Sequence, residues 1–169
     1  MICNAACLIY EQFSQNDSIL GASGPAAWLD VRLEPMADLP ALKEGLTGTA
    51  EIIVGEEHTA PSIGSGRVRV LATPVMINLM EAAALDAIER LLPPGHQSLG
   101  THLNVGHYAA TPVGMGLRAK AVVTKVDGRT VEFRVEAFDD KERVGDGTHT
   151  RVVVNVERFD QRVQRKLSG

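Results

Sequence analysis

Between Thr73 and Gly95 the chain reads TPVMINLMEAAALDAIERLLPPG, a helix whose ends are written in its own residues. Thr73 stands where an N-cap belongs. Pro74 stands at the first helical position, where proline's missing N–H costs nothing. Pro93, Pro94 and Gly95 then stop the helix. From Val75 to Leu85 the only polar residues are Asn78 and Glu81. A helix this apolar is not laid on a surface; it has to be wrapped on most sides.

The flanking sequence supplies the wrapping. Thr47 to Val54 reads as a first strand, and APSIGSGRVRV as a Gly/Ser loop running into an ambiguous segment. After the helix the hydrophobic period switches to two. SLGTHLNVGHYAAT, GLRAKAVVTKV, TVEFRVEAF and GTHTRVVVNVERF are strand-like runs rich in Val and Thr. Asp127-Gly128 separates two of them and is the strongest short hairpin signal; DDKERVGDG marks another turn. One strand, a nearly all-apolar helix and four meandering strands predict an α+β hot-dog architecture. In it a long curved antiparallel sheet wraps one central helix. A single sheet of this kind leaves an open edge, so a homodimer that continues the sheet is expected.

Residues 41–169 suffice for that domain. Residues 1–40 mix turn formers with scattered apolar residues and no sustained period, so a loosely structured extension, with one short helix, is expected there. Charge narrows the partners. With a net charge of −4 and no dense Lys/Arg cluster, the chain carries no nucleic-acid footprint. Cys3 and Cys7 lie together without a second pair, which makes neither a zinc site nor a disulfide framework. The apolar opening lacks a preceding basic residue and is too short to span a bilayer. A soluble, cytoplasmic protein without membrane partners is expected.

Five kinds of residue stand out chemically. Glu81 lies at the margin of the polar arc formed by Asn78, Asp86, Glu89 and Arg90, beside apolar neighbours. A partly buried carboxylate there suits a base or nucleophile, or else reaches to water at the rim. Thr73 is read as a cap whose hydroxyl is thereby fixed in place. Thr73 and Glu81 are eight residues apart, roughly 12 Å along a straight helix and on different faces. Acting on one substrate, they would come from different subunits of a dimer. His102 and His107 have opposite parity in one strand and so form no metal-binding face. His58, His96 and His149 show no ligand spacing either. His149 is read as serving a turn-to-strand junction. Gly100 and Gly106 permit a bulge or a close backbone approach, and the Gly100 N–H could donate to an oxyanion. Arg151 alternates with Val152 and Val154, facing either solvent or an anionic ligand group.

TPVMINLMEAAAL, GHQSLGTHLNVGHYAATPVG, GTHTRVVVNVERF and RVQRK carry a resemblance to a known family. From about Thr73 to Lys166 the chain resembles the fluoroacetyl-CoA thioesterases of the hot-dog fold. The helix Glu, SLGT and V-x-H-x-A-A-T-P-x-G form its signature. The resemblance implies catalytic roles for Thr73, Glu81 and His107. It also implies substrate contacts at Gly100, near the thioester carbonyl, and at Arg151, toward coenzyme A. The fluoroacetyl-specific enzymes place phenylalanines upstream of the catalytic Thr as a lid. Here that stretch, PSIGSGRVRVLA, has no aromatic residue. The implied reaction is hydrolysis of a short or medium acyl-CoA without metal or organic cofactor, in a homodimer or dimer of dimers. The alternatives are an enoyl-CoA hydratase and a non-catalytic acyl-CoA-binding protein of the same fold.

Overall fold

The computed structural model describes residues 39–167. The expectations for residues 1–38, Cys3 and Cys7 included, lie outside that range. Five antiparallel strands form one sheet: β1 (Thr47–Ile53), β2 (His96–His107), β3 (Gly116–Asp127), β4 (Thr130–Asp139) and β5 (Arg143–Asn155). Their order is β1-β3-β4-β5-β2. The helix α1 (Thr73–Ile88) connects β1 to β2, the two edge strands, and the sheet curls around it. This is the hot-dog architecture. No helix among the described residues is long and apolar enough to cross a membrane.

Alternation builds the inner face. Leu117, Ala119, Ala121 and Val123 of β3 and Val131, Phe133, Val135 and Ala137 of β4 are all buried. From the helix, Met76, Leu79, Met80, Ala83, Ala84, Ala87 and Ile88 pack against them. Each of the large side chains contributes about 1.5–3 kcal/mol by leaving water. The alanines allow a close approach. Opposite them Gly48 of β1 has no room for a Cβ, because Ala83 O and Ala87 N of the helix backbone occupy the space. Leu39 and Leu42 already belong to this core.

Three local details differ from the expectation. Ala72, not Thr73, is the N-cap residue, and it makes no side-chain cap bond; the Thr73 hydroxyl is engaged elsewhere. The α-helix stops at Ile88, and a single 3-10 turn, Glu89–Leu91, leads to the prolines. The last strand-like run divides. β5 ends at Asn155, whose side chain accepts from the Arg158 N–H and caps a second helix, α2 (Val156–Arg165). The wrapping is also less complete than the apolar sequence suggests. The sheet covers one side of α1, whereas Thr73, Pro74, Asn78 and Asp86 stay exposed and Val75, Ala82 and Leu85 are half-buried.

Candidate active site

The structure gathers the candidate residues into two clusters at different heights along α1. The first lies at the helix N-terminus. Thr73 occupies the opening turn, and its Oγ1 is 2.9 Å from Nδ1 of His107, the last residue of β2. The other ring nitrogen, Nε2, is shut off from solvent and has no hydrogen-bond partner among the described residues. Burial holds the His107 pKa below its usual value, against an opposing hydrogen bond with the Ala109 backbone. The ring is therefore neutral at neutral pH, with one nitrogen engaged and one waiting.

The second cluster lies two turns further on. Glu81 reaches over β2, and its side chain remains one-third exposed. Its Oε1 rests on Gly100, close enough that a Cβ there would collide with it. Of the bulge or close ligand approach expected at Gly100, the structure shows the bulge. The β2–β5 register slips between Gly100 and His102, and the group that comes close is the Glu81 carboxylate.

From β5 two inward side chains come up beneath Glu81. His149 Nε2 lies 3.7 Å and Arg151 Nη1 3.8 Å from Oε1. Arg151 is 5% exposed, so neither solvent-facing nor free. Its Nε donates to Ser98 Oγ, Nη2 to the Ser98 carbonyl, and Nη1 lies 3.2 Å from His149 Nε2. Ser98 in turn donates from its N–H and its hydroxyl to the Glu89 carboxylate. The buried guanidinium is thus flanked by two carboxylates, Glu81 nearby and Glu89 through Ser98. Burial pulls the Arg151 pKa down, and both carboxylates oppose it.

His149 corrects the expectation for it. Rather than serving a turn junction, it is fully buried in mid-strand, opposite Leu103, and stacks on Phe133. Its parity with Arg151 and Val153 was the signal: a period of two puts all three on one face. Ser98 and Glu89 had no comparable signal, since a Ser in a strand and a Glu at a helix end are ordinary. His102 stays exposed and contributes its backbone carbonyl, 3.0 Å from His149 Nδ1.

Within one chain the Thr73–His107 pair and the Glu81 cluster do not meet, because eight residues of helix separate them. A hollow of about 570 Å³ forms elsewhere, lined by Glu51, Ile53, Arg118, Phe138 and Asp140 among others, and no candidate residue lines it. Among the described residues no three His, Cys, Asp or Glu side chains converge as a metal site.

A curled antiparallel sheet wrapped around one helix defines a hot-dog protein. Comparison with known proteins gives the family. The sequence profile of the fluoroacetyl-CoA-specific thioesterases matches residues 54–157. A fluoroacetyl-CoA thioesterase of Streptantibioticus cattleyicolor is 42% identical over 97 residues, 57% of this chain and 70% of the relative. A crystal structure of a fluoroacetyl-CoA thioesterase superposes with a TM-score of 0.70 at 34% identity, covering 74% of this chain and 97% of that one. A thioesterase superfamily member from Thermus thermophilus, 28% identical, gives a TM-score of 0.70 over 75% of this chain and 93% of its own. The chain belongs to the fluoroacetyl-CoA-specific thioesterase family, and it is a thioester hydrolase.

Proposed function

We propose that the protein hydrolyses a short or medium acyl-CoA to the free acid and coenzyme A. The observation that carries this reading is the Glu81 carboxylate seated on Gly100, a residue whose missing side chain makes the seat possible. The reaction adds water across the thioester. Glu81 takes a proton from water as that water attacks the carbonyl, or attacks the carbonyl itself and is then released by water. The C–S bond breaks, and the thiolate leaves with a proton.

The developing oxyanion needs a donor, and the strand pairing supports Gly100 in that role. The Ser98 N–H turns away from β5 to Glu89, and the N–H of its paired residue Val153 turns to Arg129. Two residues along, the Gly100 N–H therefore points the same way, off the open edge of β2. His107 polarises the thioester and stabilises charge on the leaving sulfur, and Thr73 orients it through the 2.9 Å bond. Arg151, buried and held by Ser98, acts on the site through its charge beneath Glu81 rather than by touching coenzyme A, the contact that the resemblance implied.

A homodimer brings the two clusters together. Two features support it: the edge of β2, which no other described strand pairs, and the half-buried apolar residues on the open side of α1. One protomer's Glu81 would then face its partner's Thr73 and His107. The stretch from Pro61 to Ala72 offers Ile63 and Val68 but no aromatic ring. That composition favours a general short or medium acyl group over fluoroacetyl.

Glu81→Gln and His107→Ala test the reading against an acyl-CoA panel, read by release of free thiol. Each should lose turnover by about 10²–10⁴-fold with folding retained. Mixing the two inactive variants then tests the shared site. Random hybrid dimers should restore about a quarter of the intact sites. No restoration would place both groups in one chain, and a wild-type protein inert toward the whole panel would remove the acyl-CoA reading.

A further inference from the structure

The mechanism above leaves one buried group without a task. His149 is fully enclosed, yet all its polar atoms are engaged, and they join the two halves of the Glu81 centre. We infer that His149 is a positioning residue: a neutral imidazole that ties the β2 bulge to Arg151 and so sets the guanidinium beneath Glu81. The inference rests on the proposed catalytic role of Glu81.

The proton assignment follows from the partners. Nδ1 lies 3.0 Å from the His102 carbonyl, which can only accept, so Nδ1 carries the hydrogen. Nε2 faces Arg151 Nη1 at 3.2 Å, and a guanidinium can only donate, so Nε2 offers its lone pair. The opposite tautomer would set N–H against N–H at one end and a lone pair against a carbonyl at the other. A protonated ring would place two cations in contact inside a buried site. Burial and the Arg151 charge accordingly hold its pKa below the usual value, outweighing the His102 carbonyl and Glu81.

Two consequences reach the site. Arg151 is gripped on three sides, twice by Ser98 and once by His149. The grip keeps Nη1 at 3.8 Å from Glu81, beyond hydrogen-bond range. Without the imidazole, Nη1 loses its acceptor, and the Glu81 carboxylate, at the end of a flexible side chain, is free to close onto it. A direct pair there would occupy the lone pairs that the reaction uses. At the other end, the Nδ1–H bond holds the backbone just past the bulge, adjoining the Gly100 N–H.

The test compares His149→Gln with His149→Phe in the full chain. A glutamine amide donates at one end and accepts at the other, as the imidazole does; phenylalanine fills the space against Phe133 and does neither. We expect His149→Phe to lower kcat about 100-fold with KM within about threefold of wild type, and His149→Gln to recover most of the loss. Nitrogen-15 NMR of the wild-type ring should show Nδ1 protonated and Nε2 bare, a readout that needs no variant to fold. Wild-type kcat in His149→Phe overturns the inference, as do equal losses in both variants or the opposite tautomer. If Glu81→Gln retains turnover, the catalytic reading falls instead, and the tautomer measurement still decides what His149 holds.

Discussion

Replacing Gly100 by alanine separates a seat for Glu81 from a mere flexible point in a strand. Gly100 is not among the glycines with positive φ, so its backbone accepts alanine without strain. What the methyl group meets is the Glu81 carboxylate, inside contact distance, with His149 Cε1 at 3.1 Å. Carbon and oxygen settle near 3.5 Å, so the carboxylate must retreat by about 1 Å and the imidazole by a few tenths. The retreat costs little stability, because Glu81 is the end of a flexible side chain, one-third exposed and free to move outward. A Gly→Ala change at a compatible position returns about 0.4–1 kcal/mol through the unfolded chain, so the melting temperature should barely move. Catalysis should suffer far more. A displacement of about 1 Å in a reacting group costs on the order of 100-fold, or about 2.7 kcal/mol of barrier. The assay is free-thiol release from an acyl-CoA alongside thermal melting by circular dichroism. A Gly100→Ala protein with wild-type kcat and an unchanged melt would refute the seat, and with it the placement of Glu81 in the reaction.

Other expectations follow from the same contacts. Thr73→Ala removes the hydroxyl from His107 and should cost about fivefold in kcat, while Thr73→Ser keeps the bond and most of the rate; equal losses would assign Thr73 a packing role only. Arg151→Met leaves buried Ser98 and half-buried Glu89 without their cation and should destabilise the fold by about 3 kcal/mol, seen as an earlier urea midpoint. His107 and His149 both have folded-state pKa values below 6.5. As pH falls through that value the unfolded chain takes up protons that the folded chain refuses, so the unfolded state binds more protons. Stability should drop from pH 7 toward 5 and return on raising the pH. Urea midpoints at pH 7, 6 and 5 measure it, and His149→Phe should show a shallower slope.

What could be read in advance was local. Thr73-Pro74 and Pro93-Pro94-Gly95 bracket the helix to within a turn, and Asp127-Gly128 marks the β3–β4 turn, where Gly128 has φ +57°. The strands of the meander show their period of two because one face is buried and the other is not. The second helix was hidden because Val152, Val153 and Val154 run apolar straight into Val156, masking Asn155 as a cap. Thr73 looked like a cap because its alternative partner, His107, lies 34 residues away. Arg151 read as facing either solvent or an anionic ligand group, and not as buried, because Ser98, which makes its burial tolerable, is 53 residues away. Contacts of that range leave no periodic trace in the chain.

The strand order has a consequence for how the molecule is made. β1 leaves the ribosome before the other four strands, yet among the described residues its one neighbour in the sheet is β3, with Thr47 paired to Val122. The apolar helix emerges next, before β3 and β4, the strands that complete the cover begun by β1. Until the β3–β4 and β4–β5 hairpins close, Met76, Met80 and Ile88 have no sheet to enter. Short-range hairpins form early and pairings that close long loops form late, so the edge strand and the helix are the last pieces seated. For the length of synthesis, that apolar helix is a nascent surface in need of shelter.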